Sequence, residues 1–128
     1  MELVRFINNI CGRLMSQNAT TIEMCILGRF LSTDLYCYKI RGYKEWAMDL
    51  EADFTAGNIT QLEIKSDGFI YLSSTIPVEE EDRNFVELKL TRKQFVKILD
   101  DWEEKVCKQK VSELIIKYEN DEFIFETK

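Results

Sequence analysis

With 128 residues, 45% of them hydrophobic, and with eight Phe, five Tyr and two Trp, the chain can bury roughly two-thirds of its unfolded surface, which excludes wholesale disorder. Its net charge of −6 makes a phosphate backbone or an anionic membrane an unfavourable target, and the absence of His removes the commonest general base and the commonest metal ligand. A basic protein partner has the matching sign, and the acid excess is local: residues 42–90 carry eleven acidic and four basic side chains, against three and five in 1–41 and nine and eight in 91–128.

Leu3, Val4, Ile7, Ile10, Cys11, Leu14 and Met15 recur at steps of three and four, which predicts an N-terminal amphipathic helix, weakened by Gly12 and widened by Phe6. Residues 21–31 place Ile22, Met24, Ile26 and Phe30 on one side and Cys25 and Leu27 on the other, the pattern of a strand buried on both faces. Residues 35–40 predict a second strand, closed by Arg41-Gly42. Trp46, Met48, Leu50, Ala52 and Phe54 then alternate with Glu45, Asp49, Glu51 and Asp53, predicting a half-buried antiparallel strand whose outer face is a ladder of carboxylates.

Residues 59–65 and 69–74 flank Ser66-Asp67-Gly68 as a hairpin, and Pro77 with Glu79-Glu80-Glu81-Asp82 marks an exposed loop before a strand at 85–90. Thr91-Arg92-Lys93-Gln94 is a capping box, opening a helix over about 91–109 with the apolar stripe Phe95, Ile98, Leu99, Trp102 and Val106. Residues 114–118 and 123–125 form a terminal hairpin around Glu119-Asn120-Asp121-Glu122. These elements make an α+β domain spanning 1–128, a mainly antiparallel sheet of six to eight strands with both helices on one face.

Cys11, Cys25, Cys37 and Cys107 contain no C-x-x-C pair, so zinc and dithiol redox motifs are absent; the expectation is four reduced thiols. Met1-Glu2-Leu3-Val4-Arg5 lacks a basic leader segment, which predicts a cytosolic chain. The glycines at 12, 28, 42, 57 and 68 never cluster into a phosphate-binding loop, and no cofactor is expected. Asp53 with Glu63-Ile64-Lys65 has the form of a metal-dependent nuclease or hydrolase site, a carboxylate upstream of E-x-K on one strand face. The same spacing recurs at Glu87-Leu88-Lys89 and Glu103-Glu104-Lys105, as a chain rich in Glu and Lys produces by composition alone. The ladder carries more information. Like charges on one strand face gain nothing locally, so Glu45, Asp49, Glu51 and Asp53, joined by Glu79, Glu80, Glu81 and Asp82, form a candidate anionic surface for a basic partner, with Tyr43 as its aromatic anchor and Tyr36, Tyr38 and Trp46 as further anchor candidates that fit the core at least as well. A solvated sheet face, as in an adaptor or small-ligand-binding domain, is the alternative.

The stretch from Phe85-Val86-Glu87-Leu88-Lys89-Leu90-Thr91-Arg92-Lys93-Gln94-Phe95 through Leu99-Asp100-Asp101-Trp102-Glu103-Glu104-Lys105 and Ile115-Ile116-Lys117-Tyr118-Glu119 to Phe123-Ile124-Phe125-Glu126-Thr127-Lys128 resembles the tail of small bacterial immunity proteins. Such proteins neutralise toxins, often nucleases, of contact-dependent inhibition and related systems. The resemblance covers the last third of the chain and implies a non-enzymatic binding module whose partner is a basic toxin domain. It transfers no binding residue, and neither it nor the composition sets the oligomeric state.

Overall fold

A computed structural model of the chain describes residues 2–49, 54–56, 59–75 and 86–127. The α+β class holds, with eight strands in two four-stranded antiparallel sheets rather than one. The elements are β1 (Glu2–Asn8), β2 (Leu14–Ala19), α1 (Ile22–Arg29), α2 (Ile40–Met48), β3 (Phe54–Ala56), β4 (Thr60–Ile64), β5 (Ile70–Ser74), β6 (Glu87–Leu90), α3 (Arg92–Trp102), β7 (Glu113–Glu119) and β8 (Glu122–Thr127). One sheet has the order β2-β1-β7-β8 and the other β3-β4-β5-β6. Helices α1 and α3 each touch both sheets, and one continuous core draws on both sheets and all three helices. Among the described residues, no helix is long and apolar enough to cross a membrane.

The N-terminal segment corrects the expected helix: residues 2–19 are a hairpin. Gly12, at φ +78°, and Asn9 make the turn, with Asn9 Oδ1 accepting from the amides of Cys11 and Arg13 at 2.9 and 3.0 Å. Val4 and Phe6 are both fully buried, a spacing of two rather than three or four. β1 lies between β2 and β7 in register from Glu2↔Tyr118 to Ile7↔Glu113, so a strand from the far end of the chain decides its conformation.

The segment at 21–31, expected as a strand, is α1, and a π-helical turn over Phe30–Asp34 continues it. Thr21 caps it, its hydroxyl accepting from the Met24 amide at 3.2 Å. Burial on both sides is correct, with Met24, Ile26, Leu27 and Gly28 all buried, but contact with both sheets erases the one-sided periodicity that would mark a helix. α1 lies so close to the first hairpin that a Cβ on Gly28 would stand 2.7 Å from Ser16 Cβ and 3.0 Å from Val4 Cγ2. Gly28→Ala should therefore cost about 2 kcal/mol, overpacking outweighing the gain in helix propensity. Gly42 in α2 has nothing within 4 Å of the same atom, so Gly42→Ala should stabilise by about 0.5–1 kcal/mol. Urea unfolding of the two variants reads the contrast; equal shifts would contradict this packing.

Residues 35–40 hold no strand: Cys37–Lys39 is a 3₁₀ turn leading into α2. The alternation expected from residue 46 onward is likewise helical up to Met48, where Ile40, Tyr43 and Ala47 are buried at steps of three and four. Arg92 Nη1 donates to the carbonyls of Ala47 and Asp49 at 2.6 and 3.2 Å, placing a cation on the negative end of α2.

The later elements stand where the sequence puts them. β4 and β5 pair around Gly68 at φ +82°, and β7 and β8 turn through Asn120 and Asp121, both at positive φ. Thr91 and Gln94 make both bonds of the capping box, at 2.8 and 2.9 Å. Phe95, Ile98, Leu99 and Trp102 are buried, and a π-helical turn over Glu103–Lys108 extends α3 to Cys107.

Candidate functional site

The exposed side of α2 carries the part of the expected acidic surface that falls within the described residues. Arg41, Glu45, Met48 and Asp49 recur at steps of four, three and one, and all are exposed. Glu45 accepts from Arg41 Nε at 3.1 Å, an open i,i+4 pair that leaves its carboxylate accessible. Met48 is 64% exposed between Glu45 and Asp49, where the chain enters residues 50–53. Glu45 and Asp49 thus sit on a helix and at its C-terminal cap, not on a strand face, while Glu51, Asp53, Glu79, Glu80, Glu81 and Asp82 lie outside the described residues.

Among the expected aromatic anchors, Tyr43 drops out and Tyr38 stands exposed. Tyr43 is only 8% exposed and meets Phe30 edge-on at 5.3 Å; burial first, and the charge of Asp34 second, push its phenol up from the ordinary value. Tyr38, which fits the core equally well by sequence, is 79% exposed and stacks on Tyr36 at 5.6 Å. Helical spacing turns Tyr43 inward with Ile40 and Ala47, whereas Tyr38 lies on the preceding turn.

The nuclease-like group divides. Glu63 lies on the outer face of β4 and Lys65 just beyond its end, but Lys65 Nζ bonds Glu87 Oε1 at 3.0 Å and lies 4.2 Å from the Tyr71 ring centre, and Asp53 is outside the described residues. The bond to Glu87 holds the Lys65 ammonium above its ordinary pKa, which favours a protonated lysine over a base. Beside it the Tyr71 hydroxyl bonds Asp67, which pushes the phenol up to about 12. Among the described residues, no three His, Cys, Asp or Glu side chains stand together as a metal site.

A second feature has no counterpart in the sequence reading. Cys37 and Cys107, 70 residues apart, are joined in a disulfide with their Cα atoms 6.0 Å apart, while Cys11 and Cys25 are free. This corrects the expectation of four thiols. Sequence spacing carries no information about two positions that only the packing of α2 and α3 brings together. The bridge forms part of the wall of a cavity of about 440 Å³ between the first hairpin turn, Leu35–Cys37 and the end of α3. Its apolar lining comes from Leu14, Leu31, Leu35, Trp102 and Val106, with exposed Cys11 among the remaining residues.

Arg13 is the organising side chain there. Its Nε donates to Ser32 O at 2.6 Å and its Nη2 to Leu35 O at 3.4 Å, and the guanidinium lies 4.4 Å from the Tyr36 ring centre. Arg13 thereby ties the first hairpin to carbonyls of the π-helical turn that continues α1 and of its C-terminal cap, assisted by the Ser16 amide donating to Ser32 Oγ at 2.7 Å.

No protein-family model, curated protein or solved structure matches the chain.

Proposed function

We propose that the chain is a non-catalytic binding module that engages a basic protein partner, in the manner of an immunity protein covering a toxin domain. The observation that carries the reading is Met48, exposed between the exposed carboxylates Glu45 and Asp49 at the end of α2 that leads into the most acidic part of the sequence. An apolar side chain flanked in sequence by two exposed carboxylates suits an interface with a basic partner: the charges speed encounter and the thioether supplies a desolvated contact. Glu51, Asp53 and the 79–82 carboxylates extend the same charge in sequence, and Tyr38 adds an exposed ring at the other end of the helix.

The partner to test is a basic toxin domain encoded beside this chain's gene. Changing Glu45 and Asp49 to Lys should slow association about tenfold at low salt, with the loss shrinking as salt is raised. Met48→Ala should instead raise the dissociation rate at every ionic strength. A third variant, with Glu79, Glu80 and Glu81 changed to Lys, measures the contribution of the acidic stretch. If none of the three alters binding or protection from the toxin, the reading is wrong.

The compartment belongs to the same proposal. Immunity of this kind acts in the cytosol, whereas persistent disulfides belong to oxidising compartments. Rapid alkylation of intact cells, followed by mass analysis, distinguishes the two: a cytosolic chain carries reduced Cys37 and Cys107, and an exported chain carries the bridge.

A further inference from the structure

The cavity beside the disulfide carries charge of the sign opposite to that of the protein. Of its lining residues only Arg13 and Lys110 are charged, both are cationic, and no carboxylate is among them, although the chain has 23 acidic and 17 basic side chains. Hydrogen bonds to Ser32 O and Leu35 O and the Tyr36 ring hold the guanidinium of Arg13 in place, leaving Nη1 without a protein acceptor among the described residues. A cation fixed in this way binds an anion without the entropy cost of ordering a long side chain. The remaining walls are largely apolar, and Tyr36 and Trp102 add aromatic surface.

We propose that this cleft binds a small amphipathic carboxylate, its charged end between Arg13 and Lys110 and its apolar body against Leu31, Leu35 and Trp102. The volume of about 440 Å³ lies within the range of small-molecule sites. A cationic ligand would face two like charges with no compensating acid. A neutral hydrocarbon would leave Arg13 Nη1 unused. A carboxylate matches both the free guanidinium edge and the apolar walls. The site is separate from the α2 surface, since neither Glu45, Met48 nor Asp49 lines it. It can therefore be tested without a protein partner, and its failure would leave the protein-binding reading untouched.

Decanoate, kept below its micelle-forming concentration, is the probe, with decanol and decylammonium as comparators. Two measurements run in parallel: calorimetric titration, and the alkylation rate of Cys11 resolved from that of Cys25 by peptide mass mapping. Cys11 lines the cavity and Cys25 does not, so Cys25 is an internal reference. The expected result is that decanoate binds and slows alkylation of Cys11 but not of Cys25, while the two comparators do neither. Lys110→Glu, at an exposed position, should weaken decanoate roughly tenfold and leave the fold intact. Arg13→Gln should weaken it as well, but it also removes the hairpin tie, so Lys110→Glu is the deciding variant. The proposal is overturned by no binding of decanoate, by equal binding of decanol or decylammonium, by equal protection of Cys25, or by an unchanged affinity in Lys110→Glu.

Discussion

Reducing the Cys37–Cys107 bridge should destabilise the fold by about 4 kcal/mol, the loop-closure value for a cross-link between positions 70 residues apart. For a chain of 128 residues this corresponds to a fall in Tm of roughly 15 °C. The reason lies mainly in the unfolded state. The closed loop contains α2, the whole β3–β6 sheet and α3, so opening it releases the unfolded chain from its longest-range constraint. The local effect has a direction too: Cys37 is the first residue of the turn into α2 and Cys107 lies in the last turn after α3, so the cavity between them loses part of its wall. Thiol titration of the denatured, non-reduced protein should find two thiols, and four after reduction. The Cys37→Ser, Cys107→Ser double variant should melt with the reduced wild type and be insensitive to reductant. Four thiols before reduction would refute the bridge.

Asp34→Ala should cost about 3 kcal/mol, a large effect for removing one small side chain. Asp34 is 1% exposed, and its carboxylate accepts from the amides of Ile59 and Thr60, at 3.1 and 2.7 Å, and from the Thr60 hydroxyl. Thr60 is fully buried, so the alanine variant leaves two buried donors without an acceptor at the first residue of β4. These bonds tie the π-helical turn that continues α1 to the β3–β6 sheet, a link across 26 residues of sequence. Asp34→Asn keeps one acceptor oxygen and should cost less. A second readout isolates the charge. Because the Asp34 charge contributes to the raised pKa of Tyr43, after burial, removing it should bring the Tyr43 titration down toward the ordinary tyrosine value. The raised phenol gives stability that is complete below the unfolded tyrosine pKa and is lost as pH rises through the folded one, so in Asp34→Asn the loss should begin at the same pH but be smaller and end at a lower pH. Unchanged stability and an unchanged Tyr43 titration would show that the carboxylate anchors nothing.

Of the candidate interface, the sequence supplied the sign and location of the charge, since both follow from counting side chains. It could not supply orientation: the same residues at 45–49 satisfy a two-residue period and a helical one, and only burial of Ile40, Tyr43 and Ala47 selects the helix, exposing Met48 and withdrawing Tyr43. Arg13 and Lys110 could not have been singled out at all, and Tyr36 only as a candidate interface ring, not as part of a cleft with them. They are ordinary surface residue types whose shared cavity depends on contacts between the first hairpin, the turn before α2 and the end of α3.

By itself the sequence determined the elements whose signals are local. The Thr91–Gln94 capping box closes its hydrogen bonds within four residues, Gly68 and Asn120-Asp121 accept the positive φ that tight hairpins require, and the α3 stripe faces a single core. Tertiary structure decided the first 49 residues. β1 reads as a helix until β7 pairs with it, because a two-residue spacing of Val4 and Phe6 is too short a signal against the apolar residues around it. α1 reads as a strand because it contacts both sheets, and a helix whose buried residues Met24, Ile26, Leu27 and Gly28 spread over a wide arc has lost the narrow stripe by which sequence reveals it. The disulfide, the Asp34 tie and the cationic cleft all join positions distant along the chain, and such proximity exists only once the chain has folded.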